Sequence, residues 1–218
     1  ESGISTFRDA NGLWENHRIE DVATPQAWQR NPELVLEFYN LRRKQLYEVE
    51  PNAAHFAITE LQQNFEVQVV TQNVDDLHER AGNTNVLHLH GQLKQVRSTG
   101  YPYQVYDLDG WELLLGDKCE EGHQLRPHIV WFGEDVPNLP VAAQMVSESD
   151  AVIIVGTSLN VYPAASLYQY AKPDAPIWII DPKANELVYP DSITPINEKA
   201  GAALPRLVNS LLDNEIIL

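Results

Sequence analysis

Apolar positions along the chain follow two periods. Leu34, Val35, Phe38, Leu41 and Leu46 recur near helical spacing, with Pro32 close to the first turn, where a missing N–H costs little, so a helix is expected from Asn31 onward. A second helix is expected after Pro51 and Asn52, with Ala54, Phe56, Ile58 and Leu61 as its core positions and His55 as a packed or capping residue. Short apolar or β-branched runs predict strands at residues 67–71, 85–90, 129–132, 151–155 and 176–181. AVIIV and PIWIID are continuous rather than alternating, the pattern of parallel strands buried on both faces. The stretch GAALPRLVNSLLDN predicts a closing helix. Strands alternating with helices imply an α/β fold: a Rossmann-like parallel sheet with a smaller second lobe. The expected division places residues 1–14, 56–92 and 128–218 in the sheet domain and residues 15–55 and 93–127 in the small lobe.

Composition narrows the partners. The chain has 218 residues, 44% hydrophobic and 21% charged, enough for a sizeable core and too apolar for a disordered chain. A formal charge of −16 argues against general affinity for nucleic acid or anionic membrane and favours basic, lysine-bearing protein segments. The single cysteine, Cys119, excludes an intramolecular disulfide. No apolar run is long enough to span a membrane and no signal-peptide pattern opens the chain, so a cytoplasmic location is the default expectation.

The densest candidate chemistry lies in residues 69–91, VVTQNVDDLHERAGNTNVLHLHG. Amides, carboxylates and imidazoles follow a strand end, which suits either a reaction centre or a solvated turn. His88 and His90 share one face of the expected strand, yet no third or fourth metal ligand lies near them in sequence. Tyr39 and Arg42 stand three apart on one helical face, which by itself reads as a surface pair. The neighbouring Arg43 points about 100° away around the helix. Gly156, Thr157 and Ser158 follow a strand and precede an expected helix, a common phosphate or ribose site because small side chains expose backbone donors.

TQNVDDLHERAG followed by LHLHG resembles the central motif of the sirtuins, NAD-dependent protein-lysine deacylases. ESGI, FRD and GLW near the start, PNxxH, LRPHIVWFGE and GTSLNVYP match that family in order. In sirtuins a strand and a GAGxS turn come before ESGI, and the resemblance leads to the expectation that both precede Glu1 in a longer protein. The resemblance implies NAD as co-substrate, contacted by Phe7, Arg8, Trp14, Gln72, Asn73, Asp75, Gly156, Thr157, Ser158, Asp181 and Ala200. Asp181 stands where sirtuins usually have Asn, and an Asp at a strand tip can still accept from ribose hydroxyls. His90 becomes the general base, Asn73 orients ribose or water, Asp75 holds the nicotinamide amide and Phe7 shields the ribose, while His88 becomes a structural neighbour.

The resemblance also implies an acyl-lysine protein segment as partner. It would add as a strand along Val130, Phe132, Gly133 and Glu134, with Val161 lining the far side of the channel. The Tyr39–Arg42 pair resembles the sirtuin subgroup that removes succinyl and malonyl groups, with acetyl also possible; the resemblance makes the pair a carboxylate grip, a guanidinium fork aided by a hydroxyl. Most sirtuins carry two Cys-x-x-Cys pairs for a structural zinc; here residues 92–127 offer Cys119 and His123, with Ser98 in a cysteine position, so no metal is expected. Tyr101, Tyr103, Tyr106, Trp111 and Leu113 to Leu115 are expected to hold the small lobe by packing instead. A mono-ADP-ribosyltransferase on this scaffold and a non-catalytic NAD or acyl-lysine binding module are the alternatives.

Overall fold

Strand residues 177–180, IWII, alternate their side chains between two apolar layers, and half of the molecule is built around that alternation. The computed structural model describes residues 1–4, 13–14, 17–157, 159 and 161–213. In chain order the elements are β1 (Leu13–Trp14), β2 (His17–Arg18), α1 (Ile19–Val22), α2 (Pro25–Arg30), α3 (Pro32–Leu46), α4 (Ala53–Leu61), β3 (Val69–Thr71), α5 (Leu77–Arg80) and β4 (Val86–His88). They continue with β5 (Gly91–Ser98), β6 (Val105–Asp107), β7 (Leu125–Ile129), α6 (Leu139–Glu148), β8 (Val152–Val155), β9 (Ile177–Ile180), β10 (Ile193–Ile196) and α7 (Ala200–Leu212). Two 3₁₀ segments, Ala164–Tyr170 and Ala184–Glu186, complete the set.

The chain forms two compact units. One comprises Glu1–Glu50, Asn73–Asp76 and His90–Val136; the other comprises Pro51–Gln72, Leu77–Leu89 and Pro137–Leu218. Residues 128–136, expected with the sheet domain, group with the first unit because β7 pairs antiparallel with β5. Residues 1–4, 13–14, 73–76 and 90–92 group there too, while residues 51–55, expected in the small lobe, group with the second unit.

In the second unit, β8, β9 and β10 form a parallel sheet in the order β10-β9-β8. Trp178 and Ile180 face α4 and α7, packing with Ala54, Ala57, Leu61, Leu204 and Val208. Ile177 and Ile179 face the other layer, with Ala184 and Ile193. Burying each such side chain stabilises by roughly 1.5–3 kcal/mol. β9 is buried on both faces as expected, whereas β8 is only half-buried along its length because it lies at the edge of this sheet. β10 was not legible in ITPI, whose Pro195 suits an edge strand. A separate parallel pair, β3 with β4, is joined through α5. α4 starts on a capping box: Asn52 Oδ1 accepts from the Ala54 N–H at 2.9 Å, and His55 Nδ1 accepts from the Asn52 N–H at 3.2 Å. Phe56, expected in the core, is exposed, and Ala57 takes its place.

In the first unit, β5 is central between β6 and β7. Leu36, Val96 and Leu113 form one core cluster there with Trp28, Tyr106, Leu108 and Leu125. The expected aromatic packing is therefore only partly right. Leu113 and Tyr106 pack, while Tyr101, Tyr103, Trp111, Leu114 and Leu115 are exposed, because the inward positions are filled from α3 and β5. Helix α3 is capped by Asn31, whose Oδ1 accepts from the Leu34 N–H at 3.1 Å. Its Leu41 is exposed, and the polar Asn40 and Arg43 are buried instead. Arg43 donates to the Leu93 carbonyl at 2.6 Å, to the Trp111 carbonyl at 2.7 Å and to Asn40 Oδ1. Asn40 bonds both backbone groups of Leu113, each at 3.0 Å. Two side chains thus tie α3 to β5 and to the 111–113 segment. Burial pulls the Arg43 pKa down to about 10, which leaves it charged at neutral pH. Arg43→Lys keeps the charge but loses the planar fork, and is expected to destabilise the protein by roughly 1.5–3 kcal/mol, read from urea midpoints at constant m-value.

Candidate functional site

The second unit offers the ends of parallel strands. β8 runs into Gly156, whose N–H donates to the Ile180 carbonyl at 2.9 Å; β9 runs into Asp181, whose N–H donates to the Ile196 carbonyl at 3.3 Å. Gly156 has φ +61, a left-handed conformation that suits glycine, and a Cβ there would meet nothing within 4 Å. Thr157 Oγ1 accepts from the Leu159 N–H at 3.2 Å, and Leu159 itself holds φ 54, a strained value for a leucine. Asp181 is buried at the strand tip, with Oδ1 accepting from the Lys183 N–H at 2.8 Å. Ala200 is the first residue of α7, Gln72 directly follows β3, and Val161 is partly exposed. Small residues and a carboxylate at the carboxyl ends of parallel strands form a cradle of the kind that holds ribose hydroxyls and phosphates, so these residues fit a dinucleotide. Phe7, Arg8 and Ser158 lie outside the described residues, and Trp14 lies on β1.

The first unit carries three of the residues expected in catalysis or cofactor binding, Asn73, Asp75 and His90. Asn73 is exposed and Asp75 half-buried in the loop after β3, which is fixed by the Leu93 N–H donating to the Val74 carbonyl at 2.7 Å and by a 2.6 Å ion pair between Lys94 and Asp76. His90 is half-buried in the turn before β5, and its carbonyl accepts from the Val130 N–H at 2.9 Å. Gly91 must be glycine: its φ is +80, and a Cβ would collide with the His128 carbonyl. Strand β4 ends at His88, so His88 and His90 do not share a strand face as expected. His88 is buried in the second unit, 2.7 Å from Glu79.

The expected strand at residues 129–132 is a correction. β7 ends at Ile129, and residues 131–134 turn, with Gly133 at φ +89 and the Glu134 N–H donating to the Trp131 carbonyl at 3.0 Å. The Val130 N–H goes to His90, the Trp131 N–H to Glu134 at 2.8 Å, and the Phe132 N–H to the Ala23 carbonyl at 3.0 Å. These donors are satisfied within the unit rather than held out along an open edge.

Tyr39 and Arg42 are both buried, at 0% and 6% exposure, so the surface-pair reading does not hold. The Tyr39 hydroxyl accepts from the Trp131 indole N–H at 3.1 Å. Burial raises the Tyr39 pKa far above its ordinary value, keeping the hydroxyl protonated. Behind it lies a set the sequence reading missed. The Arg126 guanidinium lies 3.3 Å from the Trp131 ring centroid and donates to Glu134 through two nitrogens, at 2.7 and 3.0 Å. Arg97 donates to the same carboxylate at 3.1 Å. Burial works to raise the Glu134 carboxyl, but Arg126, the Trp131 N–H and Arg97 together hold it below the usual carboxylate range. The WFGE spelling beside Arg126 was the available signal, though an Arg–Glu pair eight apart is unremarkable until a turn brings it together.

The family's structural zinc does not fit the residues present. Ser98 Oγ accepts from the Gly100 and Tyr101 N–H groups at 3.2 and 3.1 Å and lies 3.3 Å from Cys119 Sγ. The His123 ring packs edge-on against Tyr101, and a Cβ on Gly100 would strike it. A hydroxyl already serving two backbone donors, one thiol and one packed imidazole do not make a four-ligand tetrahedral set.

The model of the Sir2 family matches residues 1–163. The chain belongs to the Sir2 family. It is 54% identical over 215 residues to an NAD-dependent protein deacylase of Helicobacter pylori strain J99, covering 98% of this chain and 91% of that one. It is 48% identical over 217 residues to an NAD-dependent protein deacylase of Bacteroides thetaiotaomicron, covering 97% and 93%. Among solved structures, a mutant Sir2 homologue in complex with ADP-ribose aligns with TM-score 0.87 at 38% identity, covering 100% of this chain and 89% of that one. A Sir2 homologue bound to a myristoylated histone peptide aligns with TM-score 0.70 at 32% identity, covering 90% and 87%.

The second unit of this Sir2 chain also holds a group of partly buried histidines. His78 sits 4.8 Å from His55, ring to ring, on the same α5 turn as Glu79, which pairs with His88. Burial, then the neighbouring His55, lower the His78 pKa to about 4. Folding thus favours the neutral imidazole, while the unfolded chain takes up a proton near pH 6.5. Stability from this residue is complete above about pH 6.5 and is lost as pH falls toward 4. His78→Gln is expected to flatten the fall in urea midpoint between pH 7 and pH 4.5; an unchanged slope would show that His78 does not set it.

Proposed function

We propose that this Sir2-family chain is an NAD-dependent protein-lysine deacylase that favours acyl groups ending in a carboxylate, succinyl and malonyl among them. The relatives' shared name, at 54% and 48% identity over nearly the full chain, supports deacylation. The observation that carries the acyl preference is the burial of Tyr39 and Arg42 one turn apart on α3. A guanidinium and a protonated hydroxyl out of water bind a carboxylate far better than the same groups at the surface, because the local dielectric is low.

NAD supplies the nicotinamide leaving group and the ribose that receives the acyl group. Gly156, Thr157 and Asp181 hold ribose and phosphate at the strand ends, and Asp75 orients the nicotinamide amide. Asn73 positions the ribose or the water that attacks last. His90 takes a proton from a ribose hydroxyl, a role that suits an imidazole with a reference pKa of about 6.5. Arg42 and Tyr39 receive the terminal carboxylate of the acyl chain. Lysine, nicotinamide and 2′-O-acyl-ADP-ribose leave.

Nicotinamide release with matched acetyl- and succinyl-lysine peptides tests the preference. Succinyl is expected to be the better substrate, and Arg42→Met to lower its kcat/KM by about 10- to 100-fold while affecting acetyl far less. Equal rates on the two peptides, unchanged in Arg42→Met, would sink the preference. The first unit is expected to stand without metal: the Tm is the same before and after chelator treatment, and elemental analysis finds no stoichiometric zinc.

A further inference from the structure

The Tyr39 hydroxyl has one hydrogen to give and room to accept. In this structure the Trp131 indole N–H occupies an acceptor position at 3.1 Å. A hydroxyl that accepts from one side presents its own hydrogen elsewhere, so the indole decides how Tyr39 meets a ligand. The indole is itself restrained. Trp131 is 2% exposed, with Trp28 and Tyr39 rings beside it at centroid distances of 5.9 and 6.5 Å. The Arg126 guanidinium lies 3.3 Å from its ring centroid, and Glu134 grips both Arg126 and the Trp131 backbone N–H. Every link belongs to one compact unit, and the chain of contacts ends on the side chain proposed to read the acyl group.

We propose that Trp131 is a positioning residue for acyl selectivity: its indole N–H sets the Tyr39 hydroxyl as a donor to an acyl carboxylate at Arg42, and the Arg126–Glu134 pair holds the indole in place. The proposal rests on the reading of Tyr39 and Arg42 as the carboxylate grip. It adds that selectivity depends on residues that do not touch the acyl group, and that this influence passes through one hydroxyl.

The test is a double-mutant cycle on the succinyl-to-acetyl ratio of kcat/KM, using Trp131→Phe, Tyr39→Phe and the pair. Trp131→Phe is expected to lower the ratio about 3- to 10-fold, the change carried by KM for the succinyl peptide, as for one lost hydrogen bond of ordinary strength. In the Tyr39→Phe background the same substitution is expected to do nothing further to the ratio. Glu134→Gln leaves the indole in the chain but loosens Arg126, and is expected to shift the ratio in the same direction by less. It carries the test if Trp131→Phe fails to fold. A ratio unmoved by Trp131→Phe, or by Glu134→Gln where only that variant folds, overturns the proposal, as does a drop that adds fully to that of Tyr39→Phe. Arg42→Met separates the two levels. If it collapses the ratio while the Trp131 and Glu134 variants do not, the grip stands and the positioning role falls; if it leaves the ratio unchanged, the grip itself is wrong.

Discussion

One carboxylate carries much of the first unit. Arg97 and Arg126 are cross-strand partners on β5 and β7, and two like charges directly opposite destabilise a sheet. Glu134 resolves this by accepting from both guanidiniums and from the Trp131 N–H at once. The turn over residues 131–134 follows from that arrangement, since the carboxylate must fold back to reach β7. Buried charges are tolerated only when paired and fully hydrogen-bonded, and here the pairing also fixes an aromatic ring against Tyr39. What counts as electrostatics on the sheet becomes geometry one residue further on.

The second unit obeys a different constraint. Its parallel sheet needs apolar contact on both faces of β9, and the period of two in IWII supplies it to α4 and α7 on one side and to the 3₁₀ segments on the other. Parallel strands that start in register also end in register. Gly156 and Asp181 therefore lie at neighbouring strand ends without any side chain needing to place them there. A candidate cofactor cradle of this kind is a by-product of strand packing, so its residues can be small and chemically plain.

Helices and buried strands were the legible part of the fold because their periods are long enough to read. α3, α4, α7 and β9 all lie where apolar spacing put them. The run IVWF misled for a physical reason: Ile129 and Trp131 are buried, but one closes a strand and the other sits in a turn held by Glu134, and hydrophobicity does not distinguish those states. β10 escaped because ITPI is short and carries a proline. The exposed residues of 101–115 were over-read as core, since an aromatic count says nothing about which positions face inward. Candidate residues such as His90 and Asp181 came from motif spelling, and the capping role of His55 was open to view beside Asn52. The Arg126–Trp131–Tyr39 connection was not, because residues 39 and 131 meet only after folding.

An acidic protein proposed to prefer an anionic acyl group looks self-defeating at a formal charge of −16. Range resolves it. At physiological ionic strength, exposed charges beyond about 8 Å are largely screened, so most of that negative charge acts weakly on a group inside the first unit. A guanidinium in direct contact and out of water acts strongly, because neither salt nor high dielectric intervenes. A long-range negative field attracts basic protein segments and sets encounter rates more than selectivity. The proposed selection works over a few ångströms, where a buried polar site can discriminate far more sharply than an apolar one that merely fits a longer chain. Acidity outside and a buried arginine inside are thus compatible, each acting at the distance where its interaction survives.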